Sequence, residues 1–98
     1  MSVTVLFKAT IQADKVEELW SALRSALPAT RGFKGCEGLT VHQGQDDPTD
    51  VVMLEKWASR SAHEAYMAWR QSEPANSSGM GGLLSGPPSV VYLNDIDV

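Results

Sequence analysis

The chain has 98 residues and a mass of 10.6 kDa, the size of one compact domain, so we predict a single domain over residues 1–98. Its 43% hydrophobic and 20% charged residues are typical of a globular protein rather than a disordered one. Eight Lys and Arg against twelve Asp and Glu give a net charge of −4. This balance argues against nucleic-acid binding and against docking on an anionic membrane.

Cysteine and histidine are scarce. Cys36 is the only cysteine, which excludes an internal disulfide, and two histidines cannot complete a Cys/His zinc quartet. His42 shares a predicted strand face with Cys36, but no third ligand lies nearby in sequence, so we predict no metal site. Residues 1–8 lack the pattern of an export signal, and no stretch approaches the ~20 apolar residues of a membrane span. We therefore expect a soluble, cytoplasmic protein.

Apolar residues recur with the two-residue period of a β-strand in four places and with helical spacing in two. Strands are predicted over residues 3–11, 36–43, 51–58 and 89–94, and helices over 15–27 and from Ser59 or Ser61 to about residue 71. Asp14 and Glu17 predict a capping box for the first helix, and Pro28 predicts its end. The Gly- and Ser-rich segment 74–88 predicts a mobile loop with one short turn near residues 80–84.

The predicted order is β-α-β-β-α-β, which indicates an α+β protein with the ferredoxin-like arrangement of two helices on one face of an antiparallel sheet. Apolar side chains nevertheless occur at positions expected on both faces of the sheet, namely Leu6, Leu39, Val41, Val52 and Leu54. A second subunit would normally cover an apolar sheet face of this kind. We therefore predict a homodimer packed sheet to sheet.

An ordered set of short motifs carries a family resemblance. They are Glu17-Glu18-Leu19, Thr30-Arg31, Gly35-Cys36, Asp47-Pro48, residues 55–59, Ala62, Tyr66 and residues 86–90. This set resembles the antibiotic biosynthesis monooxygenase family. The resemblance implies a dimeric α+β barrel with an apolar pocket between the sheet and the helices of each subunit. Members of the family that are enzymes oxidise quinols, anthrones or related polycyclic aromatics with O₂ and without a cofactor, while a related branch binds and degrades haem.

Oxygenation without a cofactor requires a base that forms a substrate anion and an apolar wall that keeps this anion away from water. Trp57 ends the third strand on the same face as Met53 and Glu55, and the resemblance turns this face toward the helices. We predict Trp57 as a catalytic pocket wall, with a plain core residue as the alternative. Met53 and Glu55 are predicted to contact the substrate.

His63 is the most plausible base, since its ordinary pKa allows it to accept a proton or to hydrogen-bond an oxyanion near neutral pH. The alternative is a surface or capping histidine. Tyr66 and Arg70 follow three and seven residues later, so they lie near the same helical stripe. We predict that they bind the substrate and stabilise a phenolate, the alternatives being packing for Tyr66 and a solvated charge for Arg70.

We therefore predict a cofactor-independent monooxygenase that oxidises a quinol-like or polycyclic aromatic substrate with O₂. The alternative is a non-catalytic ligand-binding or regulatory dimer of the same fold, consistent with Met53 at a place where some family members carry an amide. Lys8 stands where the haem-degrading branch typically has Asn, and that branch's ligand histidine falls further along the helix, so haem chemistry is disfavoured. Residues 79–86 are interpreted as either a lid or a flexible linker.

Overall fold

A computed structural model of the chain describes residues 2–98. Met1 lies outside the described residues; it is the first residue of segment 1–8, which is predicted not to be an export signal. The elements are β1 (Val3–Thr10), α1 (Val16–Arg31), β2 (Cys36–Gln43), β3 (Asp50–Trp57), α2 (Arg60–Ser72) and β4 (Ser89–Asn94). Two short 3₁₀ helices, Pro74–Asn76 and Gly81–Leu83, lie between α2 and β4. The predicted β-α-β-β-α-β order is confirmed.

The four strands form one antiparallel sheet in the order β2-β3-β1-β4, which is the ferredoxin-like topology. Both helices cover one side of it, here called the inner face, and the other side is called the open face. Alternation along β3 buries its inner-face side chains, as the two-residue period predicted. These side chains are Val51, Met53, Glu55 and Trp57.

The pairing register of β2 shows which of the predicted apolar positions face outward. Leu39 pairs with Glu55 and Val41 pairs with Met53, so both belong to the inner face and pack against the core under α1. The open face instead carries Leu6 and the other outward-pointing apolar side chains of β3 and β4. They are Val52, Leu54, Val91 and Leu93.

A bulge at the start of β2 changes the face of one residue. Cys36 pairs with Trp57, but the register shifts between Cys36 and Gly38, and His42 pairs with Val52. An extra residue in one strand reverses the alternation beyond it. Cys36 therefore packs on the inner face while His42 lies on the open face, and the prediction that these two residues share a face is wrong.

Helix α1 continues past Pro28 to Arg31, so the predicted end at residue 27 is wrong. The proline lies in the last turn, where it removes only the hydrogen bond to the carbonyl of Arg24, and both residues are exposed to water, which can bond that carbonyl. Beyond the proline, Thr30 is buried together with Leu27. Packing of this last turn therefore outweighs the local cost of the proline.

The two helices begin differently. α1 has Lys15 at its N-cap with no side-chain hydrogen bond, so the capping box predicted from Asp14 and Glu17 is wrong. At the start of α2 the hydroxyl of Ser59 accepts the backbone N–H of Ala62 at 3.1 Å, which confirms the first of the two predicted caps. This cap fixes the first turn of α2 directly after β3.

The segment between α2 and β4 is joined to the end of β1. Ile11 forms an isolated bridge with Leu84, and the side chain of Gln12 donates to the carbonyls of Gly82 and Leu84. The predicted turn near residues 80–84 is the 3₁₀ helix Gly81–Leu83. Neither helix within residues 2–98 has the length and apolar character that crossing a membrane requires.

Candidate functional site

The candidate site is a cavity of about 100 Å³ between the inner face of the sheet and the two helices. Leucine, methionine and phenylalanine account for half of the residues that line it. A small number of polar groups in an apolar pocket is the usual composition of a small-molecule site. The polar lining residues are Thr30, Glu55, His63, Tyr66, Arg70 and Ser78.

An acid and a base meet in this wall. The alternation of β3 points Glu55 inward, and His63 faces it from the first turn of α2, with exposed fractions of 4% and 2%. His63 Nε2 lies 3.8 Å from Glu55 Oε1. The same oxygen accepts the indole N–H of Trp57 at 2.9 Å, which holds the carboxyl group in place.

Burial shifts both ionisations toward the neutral forms. It raises the pKa of the Glu55 carboxyl, although the hydrogen bond from Trp57 acts in the opposite direction. It lowers the pKa of the His63 imidazole, against the nearby negative charge of Glu64. His63 is therefore an uncharged imidazole at neutral pH, the form that accepts a proton.

Tyr92 on β4 holds the other nitrogen of the imidazole. Its hydroxyl lies 2.7 Å from His63 Nδ1, and the two rings meet edge to face with centroids 5.4 Å apart. Trp57 also packs edge to face against the imidazole, 5.3 Å between centroids. Two aromatic side chains, one from β3 and one from β4, thus contact the His63 ring.

Arg70 fixes the far side of the cavity. Its Nε donates to the Tyr66 hydroxyl at 2.8 Å, and Nη2 donates to Thr30 Oγ1 at 2.8 Å and to the Ala26 carbonyl at 2.9 Å. Nη1 donates to the Asn76 carbonyl at 3.1 Å. The guanidinium therefore joins α1, α2 and the first 3₁₀ helix, and it holds the Tyr66 phenol at the cavity wall.

The structure brings five of the six predicted site residues to one cavity: Met53, Glu55, His63, Tyr66 and Arg70 all line it. Trp57 is fully buried and does not line the cavity. It instead contacts Glu55 and His63, which do line it. Its position is that of a supporting residue behind the carboxyl group.

Sequence reasoning missed several residues around the cavity. Thr30 lies in the last turn of α1, beyond the helix end predicted from Pro28. Tyr92 is brought near His63 only by the pairing of β4 with β1, which the sequence pattern does not indicate. Met67 and Met80 complete the apolar wall. Met67 lies one helical turn after His63, a spacing that could have indicated it.

A second concave surface lies elsewhere. A shallow groove of about 390 Å³ runs between α1 and β2 and is lined by Trp20, Val41 and two exposed arginines, Arg24 and Arg31, among others. It is larger than the cavity, but both of its arginines are exposed to water. Within residues 2–98 no cluster of three or more His, Cys, Asp or Glu is placed to hold a metal ion.

Comparison with solved structures finds the same fold in other proteins. A Bordetella bronchiseptica protein described as a candidate antibiotic biosynthesis monooxygenase superposes with a TM-score of 0.84 at 15% identity over 97% of each chain. Rv0793 from Mycobacterium tuberculosis gives 0.78 at 23% identity, over 100% of this chain and 98% of that one. A variant of SnoaB, a cofactor-independent oxygenase from Streptomyces nogalater, gives 0.77 at 13% identity, over 99% and 95%. At these identities the likeness is one of fold.

Sequence comparison identifies the family. No curated protein matches the chain. The family model described as antibiotic biosynthesis monooxygenase matches residues 2–76, which include both helices, three of the four strands and all six predicted site residues. The chain therefore belongs to the antibiotic biosynthesis monooxygenase family.

Proposed function

We propose that the protein is a cofactor-independent monooxygenase that oxidises a quinol-like or polycyclic aromatic substrate with O₂. The observation that supports this most directly is the approach of His63 Nε2 to the Glu55 carboxyl, 3.8 Å apart in a largely apolar cavity. A neutral imidazole beside a carboxyl group can take a proton from a phenol or an activated methylene. The apolar wall then keeps the resulting anion away from water. SnoaB, of the same fold, is a cofactor-independent oxygenase, which agrees with this chemistry.

The proposed steps balance without a further reagent. For an activated methylene, His63 Nε2 takes one proton, and the substrate anion passes one electron to O₂. The substrate radical and superoxide then join in a carbon–oxygen bond, and the peroxide takes the proton back from Nε2. Loss of water, which removes the second methylene hydrogen and breaks the O–O bond, leaves a carbonyl group. With Thr30 donating to the Tyr66 hydroxyl across 2.7 Å, as Arg70 Nε also does, the phenol keeps its own proton to donate to oxygen atoms that become negative on the way.

A fused-ring substrate requires the cavity to widen. An apolar cavity of ~150 Å³ is about what one benzene molecule needs, and this one measures about 100 Å³. Met53, Met67 and Met80 line it, and methionine side chains adapt their shape readily. We expect these side chains to move aside when the substrate enters.

The segment around Met80 has few hydrogen bonds to the rest of the fold. Met80 is buried in the cavity wall, yet the backbone N–H groups of Gly79 and Met80 bond only to the nearby hydroxyls of Ser77 and Ser78. Bonds to the chain just after β1 begin only at Gly82, whose carbonyl accepts from the Gln12 side chain. Lifting Met80 therefore costs mainly its packing. We propose that residues 77–81 act as the lid, which differs from the predicted 79–86 because residues 82–85 bond to residues 10–12.

The proposed function is tested by O₂ uptake with the purified wild-type protein. Menadiol and an anthrone are the substrates, and the autoxidation rate without protein is the blank. We expect protein-dependent O₂ consumption that saturates with substrate. Saturable binding without O₂ uptake would instead support the non-catalytic ligand-binding dimer, and a Soret band on haem titration would support haem binding.

We also propose that the active form is a homodimer joined through the open faces of two sheets. Leu54, Val91 and Leu93 are each 41% exposed there, and they adjoin the half-buried Leu6 and Val52 in one apolar patch. An apolar surface of this kind on a sheet is normally covered by a partner. The area is continuous across β3, β1 and β4.

The variant Leu54→Arg is expected to dissociate the dimer at micromolar concentration, because it places an unpaired charge at the centre of the open face. Size-exclusion chromatography with light scattering measures the mass of the wild type and the variant. Ala68→Arg is the control, since this alanine is exposed on α2 on the helical side. A monomeric wild type, or a dimeric Leu54→Arg variant, would contradict the proposed interface.

A further inference from the structure

The contact between His63 and Tyr92 determines how the imidazole is presented to the cavity. Tyr92 is on the inner face of β4, and its pairing with Val5 on β1 brings its hydroxyl to 2.7 Å from His63 Nδ1. The guanidinium of Arg60 lies over the Tyr92 ring, 4.1 Å from its centre. The phenol is therefore held from two directions.

The two nitrogens of His63 have different surroundings. Nδ1 has the Tyr92 hydroxyl as its partner, whereas Nε2 has no hydrogen-bond partner within residues 2–98 and lies 3.8 Å from Glu55 Oε1, at the cavity wall. In a neutral imidazole the partner of one nitrogen decides which nitrogen carries the proton. Tyr92 is thus placed to select the nitrogen that acts as base.

We propose that Tyr92 is a positioning residue whose hydroxyl accepts the Nδ1–H of His63 and so leaves Nε2 unprotonated toward the cavity. This inference rests on the proposed function, in which His63 is the base. In the opposite tautomer, Nε2–H would face the cavity with its nearest carboxylate oxygen at 3.8 Å, too far for a hydrogen bond. The half-buried Tyr92 keeps its own hydroxyl proton, which can be donated to water.

The surrounding charges determine whether Tyr92 itself ionises. The titratable and charged groups facing the pair are Glu55 on β3 and Arg60, Glu64 and Tyr66 on α2. Burial, together with Glu64 and Glu55 and against Arg60, raises the pKa of the Tyr92 phenol. Tyr92 therefore stays neutral at physiological pH and does not compete with His63 as a base.

The first measurement is made on the wild-type protein. Nitrogen-15 NMR of labelled histidine distinguishes a protonated from an unprotonated ring nitrogen. We expect the His63 signals of a neutral imidazole protonated at Nδ1, with the exposed His42 as an internal reference. A His63 protonated at Nε2 in the neutral form would overturn the proposal, and this result needs neither turnover nor a variant.

The second measurement uses Tyr92→Phe, which removes only the hydroxyl group. We expect the Nδ1-protonated signal to decline in favour of the Nε2-protonated tautomer, because the variant lacks the oxygen that accepts the Nδ1–H in the proposal. Tyr66→Phe is the matched control for the NMR signals, because Tyr66 packs near the imidazole, 6.0 Å between centroids, without bonding to it. Unchanged His63 signals in Tyr92→Phe would overturn the proposal.

The pH–rate profile distinguishes a positioning role of Tyr92 from a purely structural one, because only the former shifts the profile. With the substrate used for wild type, kcat of Tyr92→Phe is expected to fall about 10- to 100-fold, as for a misplaced catalytic group, with KM changed little. The acid limb of the pH–rate profile should move to lower pH, because the Tyr92 oxygen stabilises the imidazolium more than the neutral ring. An unmoved limb would overturn the proposal. Absence of catalysis in the wild type would overturn the proposed function while leaving the NMR test intact.

Discussion

Replacing His63 with alanine is expected to reduce O₂ uptake with a reduced quinone or an anthrone by about 10²–10⁴-fold, the usual contribution of a general base. The reason is that Nε2 is the group in the cavity wall that is both neutral at physiological pH and without a hydrogen-bond partner within residues 2–98. The control is His42→Ala, which removes the other histidine from the exposed side of the sheet. Turnover of His63→Ala equal to that of wild type would remove His63 from the mechanism.

The pH dependence of the wild-type rate follows from the same group. Burial lowers the pKa of His63 below the ordinary histidine value of about 6.5. The base is therefore active above this lowered pKa, and kcat/KM should stay level through neutral pH and fall only on the acid side. A rate that rises steadily between about pH 6 and 8 would indicate a group with an ordinary or raised histidine pKa.

Much of the site could be predicted because it depends on local periodicity. The alternation of β3 places Glu55 and Trp57 on the buried face whatever the partner strands are, and the helical spacing of His63, Tyr66 and Arg70 places them along one side of α2. The short connection between β3 and α2, in which Ser59 caps the helix, then brings β3 and α2 face to face. These are short-range properties of the chain.

The remaining features depend on tertiary packing. Pro28 argues locally for a helix end, but the burial of Thr30 against α2 extends α1, and this adds a partner for Arg70. The bulge that turns Cys36 inward leaves no pattern in the alternation of β2. The contact of Tyr92 with His63 requires β4 to pair with β1, far away in sequence. Such contacts cannot be derived from periodicity.

Replacing Glu55 with glutamine is expected to separate activity from stability. When His63 takes the substrate proton, the carboxylate 3.8 Å from Nε2 stabilises the new positive charge, and an amide cannot. We expect kcat to fall about 10²-fold, similar to the loss of one electrostatic stabiliser in other active sites. The amide oxygen of the variant can still accept the hydrogen bond from Trp57, so the cavity keeps its shape.

The same substitution should stabilise the protein at neutral and alkaline pH. Because burial raises the pKa of Glu55 in the folded state, wild-type stability is greatest below the unfolded-state pKa and declines as pH rises through the folded-state pKa. Glutamine does not ionise, so the free energy of unfolding of Glu55→Gln should exceed that of wild type by an amount that grows with pH and disappears in acid.

Urea unfolding over a series of pH values measures this difference. Glu37→Gln is the control, since Glu37 is exposed and lies on β2 of the same sheet. A carboxyl group kept in place although it weakens the fold is typical of a catalytic site, where local stability is lower than packing would allow. If Glu55→Gln unfolds at the same urea concentration as wild type at every pH, the buried carboxyl group carries no such cost, and its role in the proposed mechanism loses its physical basis.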